Sequence, residues 1–191
     1  MKIWESSHTF EHPWETVVQA AMRKYPNPLS TAVKSIDVTA RSIGTDGVLT
    51  SHRLLATEWN IPDWVTGLIG LRNPGFGFEH SQVDPRRKIL RMKSRNINCS
   101  SFVSVDETLE YRPDPEDPAK TRLDQTAVVT MKGIPLISYC EDLMTKTIHS
   151  NASRGREGLE WVIGNVKRET MKELDHLAHS LPHGFSFMET E

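Results

Sequence analysis

Two cations lie beside apolar patterns, where an ionised side chain is costly unless it has a partner. Lys24 follows the end of an apolar helical stripe, and Arg53 alternates along a strand pattern with Leu49 and Leu55. In a half-buried strand this alternation turns Arg53 inward with the two leucines. A buried, unpaired guanidinium is very costly, so an inward Arg53 needs a carboxylate partner or an anionic ligand. The alternative is an Arg53 side chain that runs along the surface and keeps its charge in water.

A second group of polar candidates lies in the middle of a long helical stripe. The residues of the stripe are large and apolar at both ends but become small or polar in the middle, at Asn151, Ala152 and Gly155. A buried amide needs hydrogen-bond partners, and small residues leave volume unfilled beneath a helix. The pattern therefore predicts a cavity whose polar end is lined by Asn151, with Arg154 one turn away. The alternative is a packing notch, where the helix crosses another element and the backbone satisfies Asn151.

An apolar segment between Pro62 and Pro74 interrupts the strand patterns. Two glycines inside it weaken it as a helix by about 1 kcal/mol each relative to alanine. A flexible apolar loop that projects from a sheet suits a gate, or a segment that dips into a membrane surface. The alternative is a short core helix. The residues expected to contact the membrane are Trp64, Val65, Leu68 and Ile69.

The composition argues against several other classes of function. The 191 residues carry 23 Lys and Arg against 25 Asp and Glu, and the resulting net charge of −2 argues against a nucleic-acid binder. The sequence has no P-loop, GxGxxG, GxSxG or HExxH motif, and no pair of carboxylates is placed for acid–base work. The two separated cysteines form no metal motif. We therefore expect no catalytic residue, no metal and no cofactor, and the N-terminus predicts no secretory signal or mitochondrial presequence.

The hydrophobic periodicity predicts an α+β arrangement that would position these residues. About seven alternating segments follow one another through short turns, which favours an antiparallel sheet. A short amphipathic helix is predicted to begin near Trp14. From about Pro135 the apolar period becomes helical for roughly 30–40 residues, and this helix is expected to lie across the sheet. We predict one domain over residues 1–172 and an irregular tail over residues 173–191.

A dense, collinear set of short motifs runs from Met1 to about Val166. The motifs are Lys2-Ile3-Trp4, His12-Pro13-Trp14, Lys24-Tyr25-Pro26-Asn27-Pro28, Ser51-His52-Arg53-Leu54-Leu55, Thr57-Glu58-Trp59, Ser150-Asn151-Ala152, Gly155-Arg156-Glu157 and Glu160-Trp161-Val162-Ile163. Together they resemble the PRELI/Slowmo family of phospholipid transfer proteins, and specifically its Slowmo branch. The resemblance implies a helix-grip fold similar to phosphatidylinositol transfer proteins, in which a seven-stranded antiparallel sheet and a long C-terminal helix enclose a pocket for one phospholipid.

The resemblance also implies a function, a compartment and partners. Members of this family carry an acidic phospholipid between the outer and inner mitochondrial membranes, within the intermembrane space and peripheral to both membranes. The Slowmo branch implies phosphatidylserine; the alternatives are a phosphatidic acid carrier and a lipid-binding or interaction protein that transfers nothing. A pocket enzyme of the same architecture is a further alternative, because fold alone does not fix function. The expected partners are the phospholipid, the membrane surface and a small twin-Cx9C helical-hairpin chaperone, with no nucleic acid.

Four residues match the headgroup-binding positions of that family. Lys24 matches a basic position after the first helix, and Arg53 occupies the basic position on its strand. Asn151 and Arg154 match the polar and basic pair on the long helix, with Arg154 in place of the more usual lysine. The loop Pro62–Asn73 corresponds to the lid, although the residues that follow it depart from the usual sequence of the branch.

Overall fold

The computed structural model describes residues 1–58, 64, 66–67, 74–98, 100–133 and 136–180, without the side chains of residues 174, 175 and 177–180. Seven strands form one antiparallel sheet in the order β1-β7-β6-β5-β4-β3-β2. The strands are β1 (Lys2–Phe10), β2 (Val33–Ile43), β3 (Leu49–Thr57), β4 (Gly75–Asp84), β5 (Ile89–Asn96), β6 (Val103–Pro113) and β7 (Thr121–Met131). The predicted α+β class and strand number are confirmed.

Alternating side chains give the sheet one enclosed face and one outer face. In β7 every second residue from Thr121 to Met131 is buried, which is the period of two that a half-buried strand requires. The β2–β3 hairpin turns at residues 44–47, where Gly47 has a φ of 82° that favours glycine. Strands β2 to β7 pair in chain order, and β1 pairs with β7 from Lys2↔Val129 to Phe10↔Thr121. The first strand therefore forms one edge of the open sheet, beside the last strand, and β2 forms the other edge.

Two helices cover the enclosed face of the sheet. Helix α1 (Trp14–Met22) links β1 to β2 and buries Trp14, Val17 and Ala21. Helix α2 (Ile137–Ser180) is 44 residues long and contacts α1, β7 and β1. In the part of the chain that is described, neither helix is long and apolar enough to cross a bilayer.

The core consists of two apolar clusters that α2 packs against at different points along its length. Met144 and Cys140 belong to a cluster with residues of β6 and β7. Leu159 and Ile163 belong to a second cluster with α1 and the strand ends around Tyr111. Between these points α2 presents the small and polar residues that predicted a cavity. The two clusters therefore hold the helix at both ends of its middle section and leave that section unfilled.

The C-terminal boundary of the long helix differs from the prediction. Helix α2 continues to Ser180, so residues 173–180 are helical and not irregular. Residues 167–173 are exposed all round, and the segment is rich in Lys, Arg, Glu and Met, which favour a helix without tertiary packing. Pro182 is the first residue after Pro135 that would break it. The remainder of the predicted tail, residues 181–191, lies outside the described residues.

Candidate functional site

A cavity of about 290 Å³ lies between the enclosed face of the sheet and α2. Residues of β3 to β7 form its floor, the middle of α2 forms its roof, and the segment between α1 and β2 closes one end. Most of the wall is apolar, with side chains such as Leu55, Met92, Leu109 and Ile148. A small number of charged and amide side chains project into this apolar space, which is typical of a ligand pocket.

All four predicted headgroup residues line this one cavity. Arg53 is on the floor and is only 4% exposed, whereas Lys24 is half-buried at the closed end. Asn151 and Arg154 are exposed residues of α2 and stand at the rim. The structure therefore brings together the turn after α1, strand β3 and helix α2, which are distant in the sequence.

Arg53 already has a carboxylate partner. Its Nε donates a hydrogen bond of 2.7 Å to Oε1 of Glu79, and its Nη2 lies 2.6 Å from the same oxygen. The two side chains are 5% and 10% exposed. Of the two explanations for an inward Arg53, the structure shows the carboxylate, and the surface alternative is wrong. The pairing follows from the register, because Arg53 and Glu79 are direct partners on β3 and β4.

The Arg53–Glu79 pair begins a polar row that crosses the cavity floor. Glu79 pairs with Ser94 on β5, and Ser94 pairs with Glu107 on β6, so these four residues occupy consecutive register positions on four strands. At the end of the row, Nε2 of Gln125 donates a hydrogen bond of 2.6 Å to Oε1 of Glu107. Side chains at matched register share one face of a sheet, and all five of these residues line the cavity.

Glu107 is the least compensated charge of this row. Its remaining accessible surface borders the cavity, and burial raises the pKa of its carboxyl above the ordinary value. The Gln125 amide and the Lys24 charge oppose that rise, and the nearby Glu79 adds to it. Burial likewise raises the pKa of the Tyr111 hydroxyl at the same end of the cavity. The interior therefore disfavours a lone negative charge and would gain from a cation.

Lys24 lies in the turn after α1, and its side chain reaches a glycine of α2. Nδ2 of Asn27 donates a hydrogen bond of 2.7 Å to the carbonyl oxygen of Lys24, which fixes the backbone of the turn. A Cβ at Gly155 would lie 2.9 Å from Nζ of Lys24, so the ammonium occupies the space that this glycine leaves beside the backbone of α2. The ammonium also lies 5.2 Å from the ring centroid of Tyr25. Gly155, one of the small residues in the middle of the helical stripe, therefore leaves space for the Lys24 ammonium.

Lys24 has no carboxylate within the 4.0 Å salt-bridge distance among the described residues. Its charge acts on Glu107 only at longer range. An anionic group that enters the cavity would therefore find a cation that is not already paired.

The predicted membrane segment is described only in part. Trp64 is 52% exposed, and its ring centroid lies 5.7 Å from that of Tyr139, which is also more than half exposed. Leu136 and Ile137 at the start of α2 add exposed apolar surface. The other predicted contacts, Val65, Leu68 and Ile69, lie outside the described residues, as does most of the loop.

The sequence reasoning missed the acidic half of the cavity. It found no carboxylates facing a pocket, whereas the structure places Glu79 and Glu107 on the floor. A signal was present in the strand patterns. Glu107 stands between Val105 and Leu109 on the inward face of β6, so a polar residue interrupts an apolar stripe as Asn151 does on the helix. Among the described residues, no group of three or more His, Cys, Asp or Glu could hold a metal ion.

Comparison with known proteins identifies the family. The model of the PRELI-like family matches residues 15–169. The chain belongs to the PRELI-like family. It is 34% identical to the Saccharomyces cerevisiae protein "Protein UPS2, mitochondrial" over 95% of this chain and 80% of that protein. It is 31% identical to "Protein slowmo homolog" of Dictyostelium discoideum over 91% of this chain and 77% of that protein.

Solved structures of low sequence identity share the fold of this PRELI-like chain. TTHA0849 from Thermus thermophilus aligns with a TM-score of 0.60 at 18% identity, over 86% of this chain and 99% of that one. The ZhuI aromatase/cyclase from Streptomyces sp. R1128 aligns with a TM-score of 0.57 at 13% identity, over 88% and 95%. These likenesses support the helix-grip architecture, and the second shows that an enzyme can use it.

Proposed function

We propose that this PRELI-like protein is a lipid transfer protein that carries one acidic phospholipid, phosphatidylserine, between membranes. The single observation that carries the proposal is the largely apolar cavity beneath α2, which Lys24 lines without a salt-bridge partner among the described residues. Family membership and the relatives named above support the lipid as the ligand class. No bond is made or broken in this function.

Charge-assisted hydrogen bonds hold the headgroup in the proposed complex. Lys24 binds the phosphate, and Arg154 and Asn151 bind from the rim of the cavity. Such bonds are roughly twice as strong as neutral ones, so a few of them offset much of the lost hydration of the headgroup. Arg53 has five N–H donors, and Glu79 engages only its Nε and Nη2 groups. Its other donors remain available to the headgroup from the floor.

The acyl chains occupy the apolar part of the cavity. A volume of about 290 Å³ is at the lower end of the range for pockets of drug-sized ligands. A diacyl phospholipid is larger than such ligands, so the cavity must widen, or the chains must extend past its rim, when the lipid is bound. We propose that the loop Pro62–Asn73 opens for this purpose. Trp64, with Tyr139 beside it, would contact the bilayer as the lid moves.

The same proposal covers compartment and partner. The name of the yeast relative supports a mitochondrial location, and the resemblance to the Slowmo branch supports the intermembrane space, with peripheral association to both membranes. The resemblance also supports a small twin-Cx9C helical-hairpin chaperone as the protein partner.

We propose that the two carboxylates of the cavity floor organise charge and do not catalyse a reaction. Glu79 is neutralised by Arg53, and Glu107 accepts a hydrogen bond from the Gln125 amide.

Removing the two cations of the headgroup site tests the proposal. Lys24→Gln combined with Arg154→Gln should reduce phosphatidylserine transfer between donor and acceptor vesicles by about a hundredfold or more, because each of the two charge-assisted bonds contributes about 1.5–3 kcal/mol. The matched control is Lys120→Gln with Arg87→Gln, which removes the same number of charges from ion-paired sites outside the cavity.

Three outcomes would bear on the proposal. Transfer that is unchanged in the cavity variant would refute the assignment of Lys24 and Arg154 to the headgroup. A wild-type protein that transfers no phospholipid would refute lipid transfer itself. Conversion of the lipid to a new product, detected by mass spectrometry, would favour a pocket enzyme of the same architecture.

A further inference from the structure

The acidic floor of the cavity is not explained by a ligand that carries only negative charge. Glu107 contacts two neutral groups, the Gln125 amide at 2.6 Å and the Ser94 hydroxyl. Among the described residues it has no cationic partner at salt-bridge distance, in contrast to Glu79, which Arg53 neutralises. A carboxylate in such a place costs folding free energy unless something compensates it. Because Glu107 lines the cavity, a ligand in the cavity could supply that compensating positive charge.

We propose that Glu107 is the binding subsite for a primary ammonium group of the ligand, so that the cavity selects an aminophospholipid over phosphatidic acid. The inference rests on the proposed lipid-transfer function and adds a residue to it. In this arrangement Lys24 binds the phosphate, and Glu107 binds the ammonium. The two protein charges are already close enough to interact electrostatically, which a single headgroup that carries both opposite charges requires.

The hydrogen-bonding capacity of the floor fits an ammonium donor. A carboxylate offers about four lone-pair positions, and Gln125 and Ser94 use two of them. A primary ammonium brings three N–H donors and a positive charge, so it fills the remaining positions and neutralises Glu107. Burial raises the pKa of Glu107, and a bound cation would favour its ionised form.

The same geometry argues against headgroups of other chemistry. Phosphatidic acid would bring only negative charge toward Glu107, and like charges at short range are unfavourable in a partly enclosed site. A choline headgroup has no N–H donor for the carboxylate. Serine and ethanolamine headgroups both carry a primary ammonium, and the rim residues Arg154 and Asn151 add a place for the extra carboxylate of serine.

The test measures lipid selectivity and not activity alone. Phosphatidylcholine donor vesicles carry acyl-labelled phosphatidylserine, phosphatidylethanolamine or phosphatidic acid, and wild-type protein is compared with Glu107→Gln. The substitution keeps the shape and an acceptor for Gln125 but removes the charge. We expect phosphatidylserine transfer to fall by about tenfold to a hundredfold, the loss of one charge-assisted bond, while phosphatidic acid transfer rises. The matched control is Glu110→Gln, three residues along the same strand and on its outer face.

Two results would overturn the subsite. One is a Glu107→Gln protein with the same ratio of phosphatidylserine to phosphatidic acid transfer as wild type. The other is a wild-type protein that transfers phosphatidic acid in preference to both amine-bearing lipids. In either case lipid transfer itself stands, so these failures differ from a wild-type protein that transfers nothing.

A second measurement does not depend on the folding of a variant. Wild-type protein is incubated with vesicles that contain equal amounts of the three labelled lipids, and native mass spectrometry then identifies the bound lipid. Enrichment of the two amine-bearing lipids supports the subsite. Enrichment of phosphatidic acid contradicts it.

Discussion

Replacing Glu79 by leucine removes the carboxylate that neutralises the buried guanidinium of Arg53. Arg53 is 4% exposed, and both of its contacts, at 2.7 Å and 2.6 Å, go to one oxygen of Glu79. Removing one partner of a buried ion pair costs about 3–5 kcal/mol, because the other charge stays buried and unpaired. At about 2–4 °C per kcal/mol for a chain of this size, we expect the melting temperature to fall by roughly 6–20 °C.

Urea unfolding of four proteins measures this effect. They are the wild type, Glu79→Leu, the double variant Arg53→Met/Glu79→Leu, and a control, Glu110→Leu. The double variant should recover most of the lost stability, since apolar residues of similar volume often replace a buried pair without loss. Glu110 pairs with Arg91 at a much more exposed site, and its removal should cost at most about 1 kcal/mol.

The comparison has a clear refuting result. If Glu79→Leu cost no more than Glu110→Leu, then Arg53 would not be a buried charge that depends on its partner. The polar row across the cavity floor would then have no energetic basis, and the site would have to be placed elsewhere in the cavity.

Three further predictions concern packing, pH and the membrane. A Cβ at Gly158 would lie 2.9 Å from both Oδ1 of Asn27 and the Ser30 hydroxyl, so Gly158→Ala should destabilise the protein by about 1–3 kcal/mol. A Cβ at Gly164 would meet no atom within 4 Å, so Gly164→Ala should stabilise the protein by up to about 1 kcal/mol. If the two variants shifted the urea midpoint equally, the close packing of α2 at Gly158 would be contradicted. Burial raises the folded-state pKa of Glu107 above its ordinary 4.5, so its contribution to stability is full below that pH and is lost as the pH rises through the folded-state pKa. Glu107→Gln should therefore flatten the profile of unfolding free energy above about pH 4.5, and an unchanged slope would contradict the burial of that carboxyl. The double variant Trp64→Ser/Tyr139→Ser should co-sediment less with anionic vesicles than the wild type does. An unchanged bound fraction would show that this exposed pair does not contact the membrane.

Periodicity predicted the elements because it reflects burial directly. The pattern predicted about seven strands, which the structure contains, and a long helix from about residue 135, which begins at Ile137. The small, polar middle of that helix correctly indicated a cavity, since the large apolar residues of α2 join the two core clusters on either side of it. The end of α2 was misplaced because an exposed helix has no apolar period to read beyond Val166.

The composition of the site was only half predictable. Cations beside apolar patterns drew attention to Lys24 and Arg53, and both line the cavity. Glu79 and Glu107 are separated by 28 positions in the sequence, and only the register of β4, β5 and β6 places them in one row. Cross-strand register depends on how hairpins close, so a single sequence does not reveal which polar residues will face one another.

Identifying the molecule that occupies the cavity is the most direct test of the central claim, which is that the protein binds a phospholipid there. Native mass spectrometry of the protein, purified with its bound material and then incubated with mixed phospholipid vesicles, measures it in one experiment. We predict one phospholipid per chain, displaced by the joint substitution of Lys24 and Arg154 with glutamine. A protein that stays free of lipid under both conditions would contradict the account.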